Sequence, residues 1–124
     1  MGMREYFLDT YALVEIIRGN PSYSPYASGI SLATTNLNLM ELYYHILLES
    51  GYSNANHYFE KFKKHCIMVT DDIVKDAARF RFLNKKKNLS YIDCIGYVMA
   101  QKNNVPFLTG DRQFKELPGV EFVQ

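Results

Sequence analysis

The stretch Tyr6-Phe7-Leu8-Asp9-Thr10-Tyr11-Ala12-Leu13-Val14-Glu15-Ile16-Ile17-Arg18-Gly19 runs from a strand through an acid into a helix. Tyr6-Phe7-Leu8 is short, apolar and β-favouring. From about Tyr11 to Arg18 the apolar residues fall at helical spacing, until Gly19 and Pro21 end the segment. Asp9 stands between the two, at the carboxyl end of the strand. In an open parallel sheet that is where groups from distant parts of a chain converge.

Working outward, Asn20 to Gly29 holds two prolines and reads as a loop or broken short helix, and Ile30 to Thr34 as a second strand. From Asn36 to Ser50 apolar residues recur every three or four positions, with Gly51 as terminator. That helix is apolar nearly all round, which suits the centre of a core or a subunit interface. Ser53 to His65 is amphipathic, with Tyr58, Phe59 and Phe62 inward, and Ile67-Met68-Val69 reads as a third strand. Thr70 caps a helix from about Asp71 to Asn84, and Ser90 begins another reaching about Asn103. Val105 to Leu108 is a fourth strand, Arg112 to Glu116 a single helical turn, and Val120 to Val123 a fifth strand. Strands alternate with helices and no hairpin signal joins two strands. The expectation is an α/β fold, a three-layer α/β/α sandwich around a mainly parallel sheet of about five strands. No repeat, linker or low-complexity segment divides residues 1–124, which read as a single domain.

The chain has 124 residues and 48% hydrophobic content, enough to build a core without disulfides or a structural metal. Cys66 and Cys94 make no disulfide framework, and no Cys/His cluster suggests zinc, so a reducing, cytoplasmic setting is expected. The apolar run Leu37 to Leu48 is interrupted by Asn38, Glu41 and His45 and falls short of the roughly 20 residues a bilayer requires. Arg4-Glu5 ahead of so short an apolar run argues against a signal peptide, and Met1-Gly2 before Met3 has the look of a cloning scar. A net charge of +1 gives no general basic footprint, so nucleic-acid contacts must rest on local patches. Lys61, Lys63, Lys64 and His65 form one; Arg79, Arg81 and Lys85-Lys86-Lys87 form another. Each, taken alone, reads as a solvated helix face.

Two acids share the placement of Asp9. Asp111 follows the fourth strand across Thr109-Gly110, and Asp93 lies in the first turn of the helix after Ser90. Carboxylates brought together at one end of a sheet repel one another unless a divalent cation lies between them. Glu41 joins them because it is the sole charged residue between Asn36 and Leu48, where an unpaired buried carboxylate would be costly. An all-oxygen set of Asp9, Glu41, Asp93 and Asp111 favours Mg²⁺ or Mn²⁺ over zinc. Capping offers a second account of three of them: Asp9 and Asp111 as N-caps, and Asp93 as partner of Ser90 in a capping box. It does not account for Glu41, which falls in mid-helix, and it is compatible with metal binding.

In order, the segments Phe7-Leu8-Asp9-Thr10, Met40-Glu41-Leu42, Ser90-Tyr91-Ile92-Asp93 with Ala100, and Leu108-Thr109-Gly110-Asp111-Arg112-Gln113-Phe114 resemble the successive motifs of PIN domains. The resemblance spans nearly the whole chain, and its length is similar to that of VapC-type toxins of prokaryotic toxin-antitoxin pairs. It implies hydrolysis of RNA phosphodiesters by in-line attack of water on phosphorus, with one or two Mg²⁺ or Mn²⁺ ions held by the four acids. It also implies Thr10 and Thr109 as hydroxyls supporting the ligands, and Arg112, Lys85, Lys86 and Lys87 as contacts to RNA phosphates. An antitoxin protein is the implied partner, a homodimer the implied assembly. Tyr11 departs from the pattern, standing where many relatives carry a small polar residue.

Other residues read more plainly. His45 lies one turn after Glu41 and reads mainly as packing, His57 and His65 fall in no catalytic pattern, and Cys94 reads as a small buried residue. Tyr43, Tyr44, Tyr91 and Tyr97 read as core or interface material rather than a base-stacking platform. A receiver-like phosphoacceptor domain has similar length and α/β order but needs an acid pair after strand one and a lysine after the last core strand; Asp9 stands alone and the strand end reads Gly110-Asp111-Arg112. A catalytically silent PIN scaffold acting as a binding module is the other alternative, and the presence of all four acids speaks against it.

Overall fold

The computed structural model describes residues 3–124; the Met1-Gly2 pair lies outside them. Among the described residues four strands form one sheet: β1 (Arg4–Leu8), β2 (Ile30–Ala33), β3 (Phe107–Thr109) and β4 (Val120–Phe122). Their order is β2-β1-β3-β4 and every pairing is parallel, so all four carboxyl ends open on the same edge. The helices are α1 (Thr10–Arg18), α2 (Asn36–Ser50), α3 (Tyr52–Lys63), α4 (Asp71–Leu83) and α5 (Tyr91–Lys102), with short 3₁₀ segments at Pro21–Tyr26 and Arg112–Phe114.

Strand alternation sorts the core into two halves. Tyr6 and Leu8 of β1, with Leu108 of β3, face α1, α2 and α3 and pack among Leu13, Tyr23, Leu39, Leu42 and Phe62. Phe7 and Phe107 face the other way, toward α4 and α5, and pack among Ile73, Tyr97, Met99 and Phe114. Both faces of the central strands are covered, which is why they read as continuous apolar runs. Helix α5 comes close to the sheet because Gly96 has no side chain: a Cβ there would lie 2.9 Å from the Phe7 ring and 3.2 Å from that of Phe107.

The expected three-layer α/β architecture and the element order are those observed, but the strand count is four rather than about five. Ile67-Met68-Val69 contributes no strand. One parallel bridge joins Thr34 and Cys66, with bonds from Thr34 N to the His65 carbonyl at 3.1 Å and from Ile67 N to the Thr34 carbonyl at 2.9 Å. Ile67 and Val69 then pack on the second core half and Met68 is exposed, so pairing along β2 stops after that single contact. Helix α2 is central on one side only. Asn38, Leu39, Leu42 and Ile46 are buried, whereas Met40, Tyr44 and Leu48 form an exposed stripe at four-residue spacing.

Candidate active site

The register of the sheet builds the site. Leu8 of β1 pairs with Leu108 of β3, so the next residues on each strand, Asp9 and Thr109, meet although 100 positions separate them. The Thr109 hydroxyl donates to Asp9 Oδ2 at 2.5 Å and accepts from the Asp111 amide at 3.0 Å, tying both acids to one buried oxygen. Asp9 Oδ1 accepts from Ala12 N at 2.9 Å and caps α1; Asp111 Oδ1 accepts from Gln113 N at 2.9 Å and caps the last 3₁₀ turn. Gly110 between them admits no Cβ, which would lie 2.2 Å from the Tyr11 ring and 2.6 Å from the Val123 carbonyl oxygen. Tyr11, the departure noted in the sequence, is thus seated on this turn.

Glu41 is positioned by a chain of hydrogen bonds from the other side. Thr35 caps α2 and donates its hydroxyl to Asn38 Oδ1 at 2.6 Å; Asn38 Nδ2 donates to the Thr10 hydroxyl at 3.2 Å; Thr10 donates to Glu41 Oε1 at 2.6 Å. The buried Asn38 is a positioning residue that the sequence reading passed over. Its signal was present, since it is a polar residue in that apolar stretch three positions before Glu41, on the same helical face. Asp93 completes a capping box: Oδ2 accepts from Ser90 N at 2.9 Å while the Ser90 hydroxyl accepts from Asp93 N at 3.0 Å.

The acids feel one another's charge. Burial, above all, pushes Asp9 up to about 7, with added repulsion from Asp93 and Asp111, against the lowering effects of Thr109 and Ala12. Burial also raises Glu41, as does Asp93, while Thr10 pulls it down; burial raises Asp93, Ser90 lowers it and Asp111 raises it further. Among the described residues none of the four forms an ion pair, whereas Glu15, Glu49 and Asp76 all do. Asp9 has both oxygens fixed by the protein, whereas Glu41, Asp93 and Asp111 each have one fixed and a second with no protein donor among the described residues. Such half-committed oxygens fit a hard divalent cation. No group of three or more acidic, His or Cys side chains is drawn to chelating closeness among the described residues.

A model of the PIN domain family matches residues 6–120. The chain is a member of the PIN domain family. Comparison with curated proteins finds no significant match. Among solved structures it is similar to Mycobacterium tuberculosis VapC20, described as a sarcin-ricin loop cleaving toxin, with TM-score 0.78, 18% identity and coverage of 96% of this chain and 99% of that one. It is similar to VapBC2 from Rickettsia felis, described as bound to a DNA fragment from their promoter, with TM-score 0.73, 19% identity and coverage of 97% and 99%. It is also similar to a toxin-antitoxin complex from Klebsiella pneumoniae, with TM-score 0.70, 18% identity and coverage of 94% and 95%. At these identities the likeness is one of fold.

Other residues read from the sequence lie around this PIN site rather than in it. Arg112 is exposed and its Nη2 donates to Gln124 Oε1 at 3.4 Å, leaving it beside Asp111 but not on it. Lys85, Lys86 and Lys87 lie in the turn between α4 and α5, tied to the Asp111 side by a bond from Asn88 N to Gln113 Oε1 at 3.4 Å. His45 faces Glu49 at 3.3 Å and Arg18 at 3.2 Å, not Glu41. Cys94 is buried, its thiol pushed up to about 11 by that burial. Tyr97 is core as expected, and Tyr91 stands exposed at the start of α5. No helix among the described residues is long and apolar enough to cross a membrane.

Proposed function

We propose that this PIN protein is a metal-dependent endoribonuclease, the toxin of a toxin-antitoxin pair. The observation that carries the reading is that the charges of Asp93 and Asp111 bear on Asp9, and that of Asp93 on Glu41, while none of the four acids has a basic partner among the described residues. Asp9, Glu41, Asp93 and Asp111 would hold one or two Mg²⁺ or Mn²⁺ ions. When bound, such an ion supplies Lewis-acid charge at the scissile phosphate and to the leaving oxygen. The chain's own part is orientation. Thr109 fixes the spacing of Asp9 from Asp111, Thr10 aims Glu41, and the Ser90 box holds Asp93. Arg112 and the Lys85-Lys86-Lys87 turn would grip flanking phosphates.

The same charge supports an antitoxin that lays an Arg or Lys into the crevice, since a guanidinium makes bidentate, charge-assisted bonds with a carboxylate. The Met40, Tyr44 and Leu48 stripe supports self-association as a symmetric homodimer. A cytoplasmic setting follows from the RNA substrate.

The test is cleavage of RNA with Mg²⁺ or Mn²⁺ by purified wild-type protein and by Asp9→Asn, Asp93→Asn and Asp111→Asn. The expected result is metal-dependent cleavage lost in each variant with the fold retained. Full activity in Asp9→Asn, free of contaminating nuclease, would refute the assignment. A wild type that binds RNA and never cuts it would favour the silent scaffold.

A further inference from the structure

Tyr91 is 65% exposed, yet it is not loose. The Arg81 guanidinium lies over its ring at 4.3 Å, and Arg81 is held in turn by donating Nε–H to the Leu89 carbonyl at 3.1 Å. The ring is therefore fixed on one side by a cation that is itself anchored to the loop entering α5. Next to it, in the turn Lys85-Lys86-Lys87, Lys85 lies over the exposed Phe82 ring at 5.0 Å. Tyr91 and Asp93 are two residues apart at the amino end of α5, so they project to opposite sides of that helix end.

We infer that Tyr91, braced by Arg81, is a stacking platform for one base of an RNA strand held by the lysine turn. This rests on the ribonuclease reading and adds to it a contact for one base splayed away from its neighbours. Charge complementarity selects nucleic acid as the occupant, since the aromatic surface is flanked by Arg81 and the lysine turn while the carboxylates lie on the other side of the helix end. Stacking is tolerant of base identity, so the platform sets register more than sequence.

The chain contains no tryptophan, so Tyr91→Trp introduces a single reporter whose emission a stacked base quenches. Tyr52→Trp is the control: Tyr52 is 74% exposed, beyond the far end of α2 and about 20 Å along that helix from the crevice. Both proteins are titrated with end-labelled single-stranded RNA in chelator, so that binding is read without cleavage, by label anisotropy and by indole emission. The expected result is saturable quenching at position 91, tracking anisotropy, with none at position 52. Tyr91→Phe should keep the affinity and Tyr91→Ala lower it by about 5- to 150-fold. Anisotropy binding without quenching at position 91, equal quenching at both positions, wild-type affinity in Tyr91→Ala, or emission that changes with protein concentration alone would overturn the platform while leaving the nuclease reading intact. No RNA binding by wild type would overturn both.

Discussion

Replacing Asp9 with Asn separates the charge of the site from its shape. Burial lifts the Asp9 carboxyl from 3.8 to about 7, so its ionised form opposes folding by about 4 kcal/mol at pH 8, at about 1.36 kcal/mol per unit. The sign follows from proton counting. Between 3.8 and about 7 the native chain keeps a proton that the unfolded chain has lost, so stability falls as pH rises across that window and levels off above it. Asn keeps the oxygen that caps Ala12 N, but its amide meets the Thr109 hydroxyl donor, which must turn at a cost of about 1 kcal/mol. Without metal, Asp9→Asn should therefore be about 3 kcal/mol more stable than wild type at pH 8, roughly 10 °C in Tm, and about 1 kcal/mol less stable at pH 4. Urea unfolding of both proteins in chelator from pH 4 to pH 8 reads this directly, and adding Mg²⁺ should raise wild type while leaving the variant unmoved. A stability difference that stays flat with pH, or a variant less stable at pH 8, would show that Asp9 does not carry a buried, uncompensated charge.

Thr109→Val removes both the donor to Asp9 and the acceptor for the Asp111 amide; cleavage should fall at least about tenfold and be rescued by Thr109→Ser, and an equal loss in the serine variant would contradict the hydroxyl's role. Gly110→Ala would press its methyl into the Tyr11 ring and the Val123 carbonyl; a loss of about 1–3 kcal/mol in urea unfolding is expected, and pairing it with Tyr11→Ala should recover part of that loss. Tyr44→Glu, in the middle of the exposed α2 stripe, should leave cleavage per chain intact and shift light scattering from dimer to monomer; an unchanged mass would place self-association elsewhere.

Much of this molecule was legible in its sequence because period and punctuation agree. Gly19, Gly51 and the capping residues Asp9, Thr35, Thr70 and Ser90 stand at element ends found within a residue or two of expectation. The acids were legible because each broke a pattern at a strand end or in an apolar helix. Ile67-Met68-Val69 misled because β-propensity says nothing about pairing: with Ile67 and Val69 drawn into the second core half, the backbone follows the core and not the edge of β2. The surroundings of Tyr91 were not legible for a similar reason. Its exposure and its Arg81 brace come from the tertiary approach of α4 to α5, which no local window contains. Asn38 was passed over as a break in an apolar run, when a buried amide needs partners and so marks a network.

The 100-residue separation between Asp9 and Thr109 also governs timing. Chains leave the ribosome amino end first, at about 5–20 residues per second. Asp9 and Glu41 emerge early, but the strand that sets Asp9 in place and the acid that follows it come near the carboxyl end. Until β3 inserts beside β1, the growing polypeptide carries the first two of these acids with no frame to align them with the rest. For an enzyme proposed to cut RNA, this order of synthesis means that a nascent chain lacks the Asp9–Thr109 contact until its carboxyl end has emerged.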